Sequence, residues 1–68
     1  MSSWWLNTDH RTSDDPVMRV RDVINTAAED HRFYRLEERV RGQWVPIANR
    51  NEVIDVSGRR FRTVRTAD

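Results

Sequence analysis

Residues 32–48, RFYRLEERVRGQWVPIA, change the rhythm of the chain from a helical period to a period of two. Tyr34, Leu36 and Val40 fall on one side and Phe33, Arg35, Glu37 and Arg39 on the other, the pattern of a strand with one wet face. Arg41-Gly42 supplies a turn, because glycine takes the positive φ a tight hairpin needs. A returning strand then carries Val45 and Ile47 on the apolar side, with Trp44, Pro46 and Ala48 opposite. Pro46 cannot donate to a ladder, so that strand is expected at an edge or a bulge.

Upstream, SDDPVMRVRDVINTAAED (13–30) reads as a helix with Asp14 or Asp15 as N-cap, Pro16 in the first turn and a stop near Asp30. Val17, Val20, Ile24, Ala27 and Ala28 would form its one apolar stripe. Before it, MSSWWLNTDHRTS (1–13) is polar apart from Trp4, Trp5 and Leu6, and is expected to be a tail or a single edge strand. An indole buries on the order of 200 Å², so at least one of the pair should lie against the body or a partner.

Downstream, NRN (49–51) breaks the strand pattern. EVIDV (52–56) is a strand or a single turn, and Ser57-Gly58 ends it. Arg60 to Arg65 forms the last strand, with Arg60, Arg62 and Val64 facing one way and Phe61, Thr63 and Arg65 the other. Residues 66–68 are expected to be loose.

Composition narrows the function. The chain has 68 residues, no cysteine, two histidines, and twelve basic against eleven acidic groups, every basic one an arginine. A chain this short builds one core and at most one site. Without cysteine there is no disulfide frame and no thiol chemistry, and a cytoplasmic setting is expected. The longest apolar run, Trp4 to Leu6, is far short of the roughly 18 residues of a membrane span. Balanced charge argues against a polyanion binder held by net field alone, while arginine's planar fork suits bidentate contacts at interfaces.

Catalytic and metal patterns are missing from the chain. His10 and His31 lack the spacing of paired metal ligands, and His31 fits a helix terminus. Ser57, His31 and Asp55 can be grouped on paper as a triad, but no nucleophile elbow accompanies them. Asp14-Asp15 reads as a cap, and Glu37-Glu38 points to opposite faces of a strand. Gly42 and Gly58 alone cannot make a phosphate loop. No enzyme, cofactor, metal site or small-molecule substrate is expected.

Surface chemistry remains. Arg59, Arg60, Arg62 and Arg65, interleaved with Phe61, could grip a nucleic-acid backbone while stacking a base, or form a charged strand neutralised by Glu37, Glu38, Glu52 and Asp55. Trp44 either presents an indole to a partner or packs under the N-terminal segment.

The order PVMRVRDVINTA, RFYRLEERVRGQWVPI, NEVIDVSGRRFRTV resembles that of bacterial multiubiquitin-type domains over residues 16–64, most specifically from Val53 to Phe61. The resemblance implies the ubiquitin-like β-grasp fold, a sheet wrapped on one helix with a hairpin before it. Residues 1–13 supply one clear strand of that hairpin. The chain does not end in the Gly-Gly that conjugation requires, so a modifier role is not expected to carry over.

The expected fold is therefore α+β, one helix on a three- to four-stranded, mostly antiparallel sheet, with residues 14–65 as its body; the resemblance implies that it is a truncated β-grasp. The expected work is non-enzymatic protein binding, as an inhibitor or adaptor of a larger bacterial or phage machine or by self-association. The surface expected to carry it is Trp4, Trp5, Trp44, Phe61 and Arg62. Nucleic-acid binding through Arg59, Arg60, Arg62 and Arg65 is the alternative, and no membrane partner is expected.

Overall fold

The computed structural model of the protein describes residues 1–27 and 30–66. Its strands are β1 (Ser2–Leu6), β2 (Asp9–Ser13), β3 (Val17–Arg19), β4 (Tyr34–Val40), β5 (Gln43–Ile47), β6 (Val53–Asp55) and β7 (Arg60–Arg65), with one helix, α1 (Val20–Asn25). Five strands form a mixed sheet in the order β2-β1-β7-β4-β5, and β3 pairs with β6 in a separate two-stranded ribbon. The architecture is α+β, but sheet dominates, and the main sheet is larger than the three or four strands expected.

The added strands come from the N-terminus. Residues 1–13 form a hairpin and not a tail or a single edge strand: β1 lies inside the sheet, antiparallel to β2 and parallel to β7, and β2 is the outer strand on that side. Asn7 (φ 52°) and Thr8 (φ 70°) form the two-residue connection between β1 and β2, the left-handed pair that matches strand twist in a tight hairpin. Asparagine tolerates this conformation, whereas β-branched Thr8 is strained in it. The Asn7 side chain also ties β1 to β7, accepting from the Thr63 N–H at 2.9 Å and donating to Thr63 Oγ1 at 2.8 Å. That bridge replaces ladder bonds beyond the short parallel register of Trp5↔Arg60 and Leu6↔Phe61.

The helix is shorter than the periodicity predicts, six residues rather than a run from Asp14 to Asp30. Val17, Met18 and Arg19 extend instead to pair with Asp55, Ile54 and Val53. A helix there would leave its first N–H groups without partners. Backbone carbonyls claim them: Val20 N–H bonds Glu52 O and Arg21 N–H bonds Arg50 O, both at 2.9 Å. Asp15 turns the chain by accepting from the Val17 N–H at 3.1 Å and does not cap the helix. Val17 consequently leaves the apolar stripe and is 52% exposed, while Val20, Val23 and Ile24 are fully buried. Ala28 lies outside the described residues.

The second hairpin forms as expected. Arg41 (φ 52°) and Gly42 (φ 81°) make its turn, and β5 is the outer strand at the end of the sheet opposite β2, with Pro46 in it. Its register runs from Leu36↔Ile47 to Val40↔Gln43. Strand β7 then inserts between β1 and β4, with Glu37↔Arg62 and Glu38↔Phe61 as partners. Thr66, expected loose, is tied to Phe33 O through both its N–H and its hydroxyl. Ala67 and Asp68 lie outside the described residues.

The core sits between α1 and one face of the five-stranded sheet. It contains Trp4, Leu6, Val20, Val23, Ile24, Leu36, Ile54, Val56 and Phe61. Trp4 meets Phe61 edge-on with ring centroids 6.4 Å apart. The Trp4 indole N–H is buried with no acceptor among the described residues. That orphan costs about 1 to 3 kcal/mol, less than the roughly 5 kcal/mol from burying about 200 Å² of ring.

Leu36 is fully buried, whereas Val45 on the neighbouring strand is 44% exposed. Leu36→Ala should therefore lower unfolding free energy by about 2 to 5 kcal/mol, and Val45→Ala by less than about 1 kcal/mol. Urea titration of the two variants checks this; equal losses would contradict the placement of the core.

Candidate functional site: the helix-free face of the sheet

Side chains in a strand alternate between faces, and directly paired residues share one. The ladder therefore sorts the main sheet without ambiguity. Leu6, Phe61, Leu36 and Ile47 face the helix. Trp5, His10, Arg60, Arg62, Val64, Arg35, Glu37, Arg39, Trp44 and Pro46 face the other way.

Glu37 occupies the middle of that open face. Among the described residues it is the one buried charged group, 4% exposed. Its Oε2 accepts from Arg35 Nε at 2.8 Å, and its Oε1 accepts from Arg62 Nε at 2.7 Å and pairs with Nη2 at 2.6 Å. Burial alone would raise the Glu37 pKa, but the hydrogen bonds from Arg62 and Arg35 outweigh it and hold the carboxyl below its ordinary range.

Around this ion cluster the arginines cover indoles. Arg62 lies 4.4 Å and Arg39 5.4 Å from the Trp44 ring centroid, and Arg60 lies 4.5 Å from that of Trp5. His10 sits against the other indole partner of its register, with ring centroids 5.1 Å from Trp5 and a tilt of 39°. Trp5 and Trp44 are only partly buried. Between them runs a groove of about 230 Å³ lined by Trp5, Thr8, Arg39, Trp44 and Arg60, with Phe61 beneath.

The expected binding residues are divided by this geometry. Trp5, Trp44 and Arg62 share the open face. Trp4 and Phe61 are 3% and 1% exposed and pack in the core, because adjacent strand residues must point to opposite sides. The arginine strip is divided in the same way. Arg60 and Arg62 are on the open face, whereas Arg65 pairs on the helix side and Arg59, just before the strand, lies over the core ring of Phe61. Arg59 is committed to Glu38, with Nε to Oε2 at 2.7 Å, and to Asp55 O at 2.8 Å. Arg39 and Thr8, which the sequence pattern did not single out, join the site through the second hairpin's register and the β1–β2 turn.

A wider cleft of about 580 Å³ lies elsewhere, lined by Arg21, His31, Arg32, Ala48, Asn49, Arg50 and Asn51. Its guanidiniums are engaged in bracing loops. Arg32 pairs with Asp30 at 2.7 Å, Arg50 donates to Tyr34 O at 2.9 Å, and Arg21 donates to Asn51 Oδ1 at 3.2 Å. His31 lies in the turn before β4 and not at the helix end, which is Asn25, and it lines this cleft without His10. Asp55 accepts from the Ser57 N–H at 2.9 Å as a turn residue, so the paper triad of Ser57, His31 and Asp55 has no counterpart in that contact.

No helix among the described residues is long and apolar enough to cross a membrane. No family model, curated protein or solved structure matches the chain.

The Glu37 cluster makes stability depend on acidity. A carboxylate whose folded pKa is depressed contributes stability above its ordinary value, here 4.5, and loses it as pH falls through the depressed value. Asp30 acts with the same sign: the Arg32 side chain, its backbone N–H and the adjacent charges hold its pKa at about 2. Wild type should therefore lose stability on acidification below about pH 4.5. Glu37→Gln should begin less stable at pH 7 and show a shallower acid slope in urea titrations across that range. An unchanged slope would mean that the Arg35 and Arg62 bonds do not hold the charged form.

Proposed function

We propose that the chain is a non-enzymatic protein-binding module that presents the helix-free face of its sheet to another protein. The observation that carries this reading is the pairing of two partly exposed indoles, Trp5 and Trp44, across a groove on the one large sheet face that no helix covers. Tryptophan and arginine are the residue types that dominate interface energetics, and here they lie together on a rigid sheet. The groove walls offer indoles, guanidiniums and a hydroxyl. These groups bind well, and guanidinium is too basic to exchange protons near neutral pH.

The strand arrangement supports a β-grasp scaffold for this module. A hairpin precedes the helix, a second hairpin follows it, and the closing strand from Arg60 enters the sheet beside β1. The hairpin that residues 1–13 lacked by pattern is present as β1 and β2. The scaffold suits an adaptor or inhibitor role, since one face binds while the other holds the core.

Nucleic-acid binding is the weaker reading for a specific reason. Arg65 is on the opposite side from Arg60 and Arg62, and Arg59 lies over the core ring of Phe61, so the four arginines do not line one track. The indole faces are also occupied by guanidiniums, which a stacking base would have to displace.

Thr12 is exposed on the open face, and Asp22 is exposed on the helix. A photoreactive residue at Thr12 should cross-link a discrete protein in the chain's own cells, and one at Asp22 should not. Trp44→Ala should suppress the Thr12 adduct while the variant stays folded by circular dichroism. Equal adducts from both positions, a nucleic-acid adduct, or none from Thr12 would contradict the proposal.

A further inference from the structure

The chain's near-neutral balance hides a strongly lopsided distribution of charge. On the strands of the open face stand four guanidiniums, Arg35, Arg39, Arg60 and Arg62, and one carboxylate, Glu37. Glu37 is 5% exposed at its side chain, and both of its oxygens are taken by Arg35 and Arg62. Arg39 and Arg60 therefore have no carboxylate partner among the described residues. These two flank the groove between Trp44 and Trp5.

We infer that the groove takes a short acidic segment of a protein partner, with a large apolar side chain seated between the two indoles and carboxylates paired to Arg39 and Arg60. The inference rests on the open face being the docking surface and adds the chemistry of what docks. A guanidinium lying over an indole keeps its N–H edge directed away from the ring, free for a bidentate carboxylate. Stacking at 4.5 and 5.4 Å also restrains each arginine before binding, which lowers the ordering cost that long side chains ordinarily incur at interfaces. The charge on the groove is uncompensated by any ion pair among the described residues, so a partner's carboxylates complete it. A neutral partner would leave both guanidiniums covered and unpaired, which is unfavourable.

The test uses the full chain and three probes: a short peptide with glutamates on both sides of a central phenylalanine, the same peptide with glutamines, and an oligothymidylate of matched charge. Tryptophan fluorescence and calorimetry read binding. The glutamate peptide should bind, the glutamine peptide should bind at least about ten-fold more weakly, and Arg60→Gln should cost the glutamate peptide about ten-fold or more. Arg39→Gln serves as the second variant if Arg60→Gln fails to fold. Equal binding of the glutamine peptide would overturn the acidic preference and leave the docking face standing. Tighter binding of the oligothymidylate, or no binding of the glutamate peptide, would also overturn the inference. Failure of the docking face itself is read separately, by the absence of a protein adduct from Thr12.

Discussion

A helix of six residues is set against five strands, and it can place a core on only one side of the sheet. Everything on the other side has to be covered by the sheet's own side chains. The solution is a layer in which Glu37 is clamped by Arg35 and Arg62 while Arg39, Arg60 and Arg62 lie across Trp44 and Trp5. This layer keeps the face from being an unbroken apolar patch, which would invite aggregation. It leaves the indoles partly accessible and two guanidiniums without a carboxylate among the described residues. A surface closed by cation–π contacts, each worth about 1 kcal/mol when exposed, is sealed weakly enough for a partner to rearrange.

The all-arginine composition has a structural use here. Arg11, Arg32, Arg39, Arg59, Arg60 and Arg62 each lie over an aromatic ring, at 4.4 to 5.7 Å. Several also form directed hydrogen bonds from the same group. Arg59 spans the Phe61 ring, Glu38 and the Asp55 carbonyl, and Arg11 spans the Trp4 ring and the Thr26 carbonyl. A lysine ammonium could supply the charge but not the flat stacking surface with a fork at its edge. The guanidiniums are thus the mortar of a chain with few large apolar residues and no cysteine.

The second hairpin was legible in the sequence because its signals are local: alternation in Tyr34 to Val40, Arg41-Gly42 at the turn, and Pro46 marking an outer strand. The last strand, Arg60 to Arg65, was legible with its facing pattern. The sequence pattern overstates the helix because Pro16, Val17 and Val20 match a first turn. The competing partner, Val53 to Asp55, lies more than thirty residues away, and its claim on Val17 to Arg19 is a tertiary one. The first hairpin is hidden in the sequence because DHRTS in β2 has no apolar alternation and because Asn7-Thr8 is a turn in which only asparagine favours the backbone. Adjacent residues of a strand point to opposite faces, so the Trp4-Trp5 pair places one indole in the core and one outside wherever that segment is a strand. The same parity separates Phe61 from Arg62.

The central claim is that one indole is sealed and two stand on a positively charged open face. It is tested most directly by collisional quenching of variants that keep a single tryptophan, the others replaced by phenylalanine. Iodide should quench Trp5 and Trp44 more strongly than caesium does, and neither ion should reach Trp4 in the folded chain. Equal quenching of all three indoles, or caesium matching iodide at Trp5 and Trp44, would contradict the account.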